Sequence, residues 1–211
     1  SDDLTVVAKK VSARMGDPAY GASVLLSDAN LEISLGDGEF SILAEGAGAI
    51  DGLPGISLVG RLGLEASTAL GSARFVARNA SIVIPDLGAF SGDFVFATST
   101  TETDILRTQR FVFGLNDASG SVTLGALSAD LSGGRLGVVL ESASSVSGLG
   151  KITTKSAVYG QVDLIVGIDD GFSLSGRNVQ LEYNSGDTQT IERVELISGE
   201  ALWLDIGSSA S

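Results

Sequence analysis

Apolar and polar residues alternate along most of this chain, and a period of two is the repeat of a β-strand. The clearest example is the segment 56–67. Stripes of helical spacing do not extend beyond two turns, so we expect almost no helix. The residues assigned to the inner face of that segment are Ile56, Leu58, Gly60, Leu62, Leu64 and Ala66.

About a dozen strands are predicted in this way, joined by short turns rich in Gly, Ser and Asp. Asp37-Gly38 between two alternating runs predicts a β-hairpin. Residues 99–104 are predicted to form a polar loop, and residues 143–154 an insertion. The other segments assigned to strands are 4–15, 31–35, 40–45, 73–84, 93–97, 105–113, 121–130, 135–141, 157–166, 172–183, 190–197 and 201–206.

The alternation changes phase at two places, Lys9-Lys10 and Arg177-Asn178. A shift by one residue exchanges the two faces of a strand. A β-bulge inserts one extra residue and restores the apolar side chains to the core face. The sequence therefore predicts a bulge or bend at each of these positions.

Residues 55–61 and 171–177 carry nearly the same sequence, and residues 4–16 are echoed by 194–207. Such self-similarity is typical of a duplicated unit. We therefore expect the two similar strands to occupy equivalent places, with Leu58 and Leu174 in the core.

The predicted organisation is one all-β body over residues 1–211, built from imperfect copies at about 4–113 and 114–207. No composition change resembles a linker between them. The predicted fold is an elongated antiparallel β-sandwich or a solenoid-like β-roll.

Composition restricts the chemistry. The chain contains no histidine and no cysteine, which removes the usual general base at neutral pH, thiol nucleophiles and disulfides. We therefore predict that it is not an enzyme. A net charge of −13 disfavours nucleic acid as a partner. No apolar run reaches the roughly 18 residues of a spanning helix, so no membrane-spanning segment is expected.

Segments 11–16, 22–29, 53–60 and 90–96 together resemble the tandem β repeats of very large bacterial surface and adhesin-like proteins. The resemblance implies a secreted or surface-anchored location and a structural role as one unit of an adhesin, stalk or fibre. The expected partners are neighbouring repeats or copies of the same chain, contacted through the first and last strands. Lys9-Lys10 would then restrict indiscriminate edge pairing.

Acidic turns are the candidate metal sites. Asp169-Asp170 and the pair Asp37 and Glu39 lie beside glycine, and carboxylate oxygens in tight turns are ligands that Ca²⁺ accepts. Asp and Gly also dominate turns for backbone reasons alone. A calcium site and a plain acidic turn therefore both remain open, and no other cofactor is predicted.

Aromatic residues supply two further alternatives. Phe90, Phe94, Phe96, Phe111 and Phe113 form a dense cluster that reads either as core or as a groove for a lipid chain. Trp203 and Tyr183 read as core or interface residues, or as the platform of a carbohydrate-binding module. Glu192 and Glu195 are predicted to lie on opposite faces of a strand, which argues against a paired-carboxylate glycosidase.

Overall fold

The computed structural model describes residues 4–15, 23–36, 39–51, 57–67, 73–84, 88–124, 127–145, 153–168 and 172–208. Every regular element in these ranges is a β-strand, which confirms the all-β class. Within the same ranges, no helix is long and apolar enough to cross a membrane. The strands are β1 (Leu4–Met15), β2 (Ser23–Gly36), β3 (Glu39–Asp51), β4 (Ser57–Ser67), β5 (Ala73–Ile84), β6 (Gly88–Glu102), β7 (Leu106–Leu124), β8 (Leu127–Ser145), β9 (Thr153–Ile168), β10 (Phe172–Asn184), β11 (Thr190–Glu195) and β12 (Ala201–Ile206).

The first ten strands form one antiparallel sheet in which the spatial order is the chain order. β11 and β12 form a separate two-stranded sheet. The large sheet is open, with β1 and β10 as its two edges. The last strand of the chain, β12, belongs to the small sheet and is therefore not an edge of the large one.

Several predicted boundaries were too short or misplaced. Predicted strand 121–130 is wrong, because β7 ends at Leu124 and β8 begins at Leu127. The predicted polar loop at 99–104 is largely the end of β6, and the turn is confined to residues 103–105. The hairpin between β2 and β3 is confirmed by the pairing of Gly36 with Glu39.

Both predicted bulges are present. The register shifts between Ala8 and Val11 in β1, and between Gly176 and Val179 in β10. Lys10 and Asn178 adopt positive φ angles of 59° and 54°, the left-handed conformation that a bulge residue takes.

These bulges belong to a row that crosses the sheet, which we call the bulge row. Asp28, Asn79 and Asp117 also have positive φ, and each lies at or beside a break in register. Asn and Asp tolerate this conformation better than other non-glycine residues. A bulge bends its strand and increases its twist, so a row of bulges curves the whole sheet.

The main core lies on one face of the sheet, here called the inner face. It contains buried residues from β2 to β9, such as the fully buried Val24, Leu62 and Phe113. Side chains on an open flat face remain partly exposed, so their complete burial requires the sheet to curl over this cluster. The fully buried Leu62 and the packed Leu64 confirm the inner face predicted for β4.

The phenylalanine cluster is part of this core, as one of its two interpretations predicted. The Phe75 and Phe96 ring centroids are 5.2 Å apart, and those of Phe96 and Phe113 are 5.8 Å apart. Phe111 and Phe113 stack at 6.4 Å. The side chains of Phe90, Phe94, Phe96, Phe111 and Phe113 are all at most 1% exposed.

Leu174 was predicted to be a buried core residue. This is wrong, because Leu174 is 59% exposed. It lies opposite Val166, which packs against the core, so its inward direction was predicted correctly. The burial is missing because β10 is an edge strand and no further strand covers it. The side chain of Leu58 lies outside the described part of the chain.

The proposed sequence copies do not map onto equivalent structural positions. β4 is an interior strand whereas β10 is an edge, so the expectation of equivalent places is wrong. Residues 4–15 form a single strand, but the echoing segment 194–207 contains the end of β11, a turn and β12. The predicted boundary at residues 113 and 114 falls inside β7.

Candidate functional site

The β11–β12 hairpin packs on the other face of the sheet, the outer face. Alternate residues of the hairpin are apolar and point toward the sheet, including Val194, Leu202 and Leu204. They bury themselves against Val139 and Ala157. This second core fixes the hairpin over β7, β8 and β9.

Glycine allows the close approach. A side chain at Gly114 would overlap the Glu195 carbonyl oxygen, and a Cβ at Gly137 would lie 2.6 Å from Leu204 Cδ1. The hairpin turn is held by the Ile197 amide, which donates to Asn116 Oδ1 at 3.1 Å. Close packing at the two glycines and this hydrogen bond together hold the hairpin on the sheet.

A cleft of about 350 Å³ lies between β11 and the outer surface of β5, β6 and β7. Val95, Ala97 and Val112 supply apolar surface from the sheet. The segment 192–195 of β11 supplies the opposite wall. We call this space the hairpin cleft.

Three arginines line the hairpin cleft, and each is paired with a carboxylate. Arg110 Nη2 lies 3.0 Å from Glu192 Oε2. Arg193 Nη1 lies 3.1 Å from Glu195 Oε1, on the solvent side of the hairpin. The third arginine, Arg74, contacts a glutamate of β4 with Nη2 at 2.9 Å from its Oε2. The charges of the cleft are therefore largely balanced.

Arg110 has one donor that is not used. Its Nε is buried and lacks a hydrogen-bond partner. A buried donor without a partner is rare in folded proteins. Thr98 Oγ1 is also buried without a partner, but Thr98 lies opposite Phe111 and therefore belongs to the inner face.

Trp203 lies on the solvent side of the hairpin and is 65% exposed. This corrects the interpretation of Trp203 as a core residue, because the alternation of β12 buries Leu202 and Leu204 instead. Trp203 lies directly opposite Arg193. Tyr183 is half-buried and packs against the inner core. Glu192 faces the sheet and Glu195 faces solvent, as predicted.

The candidate calcium ligands are mostly outside the described residues. Asp169, Asp170 and Asp37 lie in undescribed ranges, and Glu39 is an exposed residue at the start of β3. Within the described ranges, no group of three or more His, Cys, Asp or Glu side chains is assembled for a metal ion. The calcium hypothesis for the acidic turns therefore stays a prediction.

Two aspartates cap the bulge row. Asp93 Oδ1 accepts a hydrogen bond from the backbone N–H of Asn79 at 2.9 Å, and Asp163 Oδ1 accepts one from the backbone N–H of Asn178 at 2.9 Å. Both bulges have the sequence Arg-Asn, and both are capped from the neighbouring strand. Each aspartate therefore has a structural role. Its side chain accepts a hydrogen bond from a backbone N–H group at the bulge, where the regular strand pairing is interrupted.

One exposed ion pair shifts two pKa values. The hydrogen bond between Lys155 Nζ and Asp187 Oδ1 raises the pKa of Lys155 and lowers the pKa of Asp187. Lys155 is partly exposed and Asp187 is exposed, so solvent screens the pair. It joins the start of β9 to the loop before β11.

No protein-family model, no curated protein and no solved structure matches this chain. The hairpin cleft was not predicted from the sequence. Arg110 and Glu192 are far apart along the chain, and their meeting depends on how the hairpin folds back. Among the residues of this region, the sequence singles out only the glutamates of β11 and Trp203.

Proposed function

We propose that the chain is a non-catalytic structural repeat unit of an extracellular bacterial surface, adhesin or fibre protein. In this role, copies or neighbouring repeats continue one another's sheet by pairing β1 with β10. The observation that carries the proposal is the match between these two edges when their bulges are aligned.

The two edges are compatible in direction. Neighbouring strands alternate in direction across the ten-stranded sheet, so β1 of one copy runs antiparallel to β10 of the next. Unpaired edge strands present free backbone groups to another chain. Leu4 and Val6 are 54% and 44% exposed although they point to the inner face. A neighbouring strand would cover them.

The side chains are compatible as well. We aligned the two bulges by placing Lys9-Lys10 beside Arg177-Asn178. The alignment sets inner-facing apolar residues against one another on both strands, and the core face continues across the junction. The resulting pairs are Leu4 with Tyr183, Val6 with Leu181, Ala8 with Val179, and Ala13 with Leu174.

The basic bulges would bring like charges together at the proposed junction. Lys10 would lie beside Arg177, and like charges in neighbouring strands repel. The sheet already contains such a pair, since Arg61 lies opposite Arg78. There, Glu45 lies 3.2 Å from Arg61 and Glu65 lies 3.7 Å from Arg78. Carboxylates beside both arginines offset the repulsion there, so a like-charge pair does not by itself prevent two strands of this sheet from pairing.

Composition and resemblance support the extracellular part of the proposal. The net charge of −13 keeps separate units soluble and suits a hydrated surface layer. The absence of cysteine is compatible with an exported protein that does without disulfides. The segments that resemble adhesin-like repeats lie in or beside strands of the large sheet.

Sedimentation tests the association. The weight-average mass of the isolated chain is expected to rise with concentration, because each copy has two free edges. Val6→Lys places a charge on the inner side of the β1 edge and should restore the monomer. Leu43→Lys is the matched control, because Leu43 is half-exposed on interior strand β3. A wild-type chain that stays monomeric at every concentration would count against edge pairing.

A further inference from the structure

We propose that the hairpin cleft binds one extended peptide segment of a partner protein, which adds as a third strand to the free edge of β11. Addition of a strand to an open sheet edge is a common way in which proteins bind extended peptides. This surface is separate from the β1 and β10 edges. The inference therefore goes beyond the structural role above and does not depend on whether copies of the chain associate.

The edge of β11 that faces the cleft is unpaired. Within the described part of the chain, the small sheet contains only β11 and β12. The backbone N–H of Leu196 donates to the carbonyl oxygen of Glu200 at 2.8 Å, which fixes the phase of the hydrogen-bonded pairs in the hairpin. In an antiparallel pair these backbone groups alternate in direction. Val194 therefore also bonds to β12, whereas Arg193 and Glu195 direct their backbone N–H and C=O groups away from it.

These outward backbone groups match the needs of an added strand. The carbonyl oxygen of Glu195 lies close against Gly114 of the large sheet. The N–H and C=O groups of Arg193 and the N–H group of Glu195 are directed toward the cleft. A peptide residue opposite Arg193 would exchange two hydrogen bonds with it, as in any hydrogen-bonded pair of an antiparallel sheet. An extended peptide backbone supplies a donor and an acceptor at this spacing.

The space beside β11 has the thickness of one strand. Stacked sheets lie about 10 Å apart, and neighbouring strands within a sheet lie about 4.8 Å apart. A strand added to β11 would therefore lie in the layer of the hairpin and would cover Val95, Ala97 and Val112 of the large sheet. A second folded copy does not fit there. Two hairpins paired edge to edge would place both large sheets on the same side, where β5 and β6 already extend beneath the cleft.

The side chains of β11 favour a particular order of charges in the segment. Arg193 and Glu195 are about half exposed, so their mutual ion pair is weak and can exchange for partners on an added strand. Opposite charges directly across a strand pair are favourable, and like charges are unfavourable. An antiparallel segment is therefore favoured when a basic residue lies opposite Glu195 and an acidic residue lies opposite Arg193. The residue between them faces the sheet beside Val194 and is favoured when it is apolar.

Calorimetry with synthetic peptides tests this order. The intact chain is titrated with the peptide acetyl-Thr-Lys-Val-Glu-Val-Thr-amide, and we expect saturable heat with a dissociation constant of about 1 mM or below. A peptide with the lysine and glutamate exchanged should bind about tenfold more weakly. N-methylation of the peptide glutamate removes the backbone donor to the carbonyl of Arg193 and should abolish binding.

Protein variants locate the site. Ala97→Tyr fills the floor of the cleft and should abolish binding at an unchanged melting temperature. Thr101→Tyr is the matched control, because Thr101 is exposed on the same face of β6 but lies outside the cleft lining. The double variant Arg193→Glu, Glu195→Arg should prefer the peptide with exchanged charges. Hydrogen exchange of the complex should show added protection at the N–H groups of Arg193 and Glu195.

Three results would overturn the inference. The first is the absence of saturable heat with the first peptide. The second is equal binding by the Ala97→Tyr and wild-type proteins. The third is added protection in β1 or β10 without any in β11, because the peptide would then extend an edge of the large sheet.

Discussion

Replacing Phe96 by alanine is expected to lower the free energy of unfolding by about 3–5 kcal/mol. Phe96 is 1% exposed and lies between the rings of Phe75 and Phe113 in the inner core. Removing its ring loses the transfer energy of the buried atoms and leaves a cavity that the curved sheet closes only in part. Urea unfolding followed by circular dichroism measures the change.

Trp203→Ala is the matched control, since it deletes a larger aromatic ring at a site that is 65% exposed. We expect a change within about 0.5 kcal/mol, as for other surface substitutions. Comparable losses for the two variants would mean that the hairpin surface around Trp203 is buried in the folded protein. A negligible loss for Phe96→Ala would contradict the inner core.

Leu204→Ala is expected to lower the free energy of unfolding by about 2–5 kcal/mol if the hairpin unfolds together with the sheet. Leu204 is fully buried between the hairpin and Gly137. The substitution weakens the contact that seats β11–β12 on the outer face. Hydrogen exchange of the β11 and β12 amides, combined with urea unfolding, measures both the global and the local effect.

Ile191→Ala serves as the control for Leu204, because Ile191 belongs to the same hairpin but is 60% exposed on its solvent side. It should change stability little. Should Leu204→Ala leave global stability and amide protection unchanged, the hairpin would not be docked as described. The hairpin cleft would then lose one of its walls.

The sequence predicted the strands and bulges because both depend on local pattern. Alternation in 73–84 and 201–206 matches β5 and β12 in full. The phase breaks at Lys9-Lys10 and Arg177-Asn178 revealed the bulges because a bulge is a local event. The inward direction of Leu174 followed from the same alternation.

The burial of individual side chains and the geometry of the hairpin cleft were harder to predict from the sequence, because both depend on which strands are neighbours. Leu174 is exposed since β10 happens to be an edge, and nothing in its own segment reveals this. Trp203 is exposed because its strand packs through Leu202 and Leu204. The meeting of Arg110 with Glu192 depends on the return of the hairpin over the sheet, which no local pattern encodes.

The central claim, pairing of β1 with β10 between copies, is tested most directly by cysteine cross-linking. The chain contains no cysteine, so each introduced thiol is unique. In the proposed register, Val7 of one copy lies opposite Gln180 of the next, and both are exposed. We predict that a mixture of Val7→Cys and Gln180→Cys proteins forms a disulfide-linked heterodimer under mild oxidation. A mixture of Val7→Cys with Ser175→Cys, on the other side of the β10 bulge, should not form it. Equal cross-linking in the two mixtures, or none in either, would contradict the account.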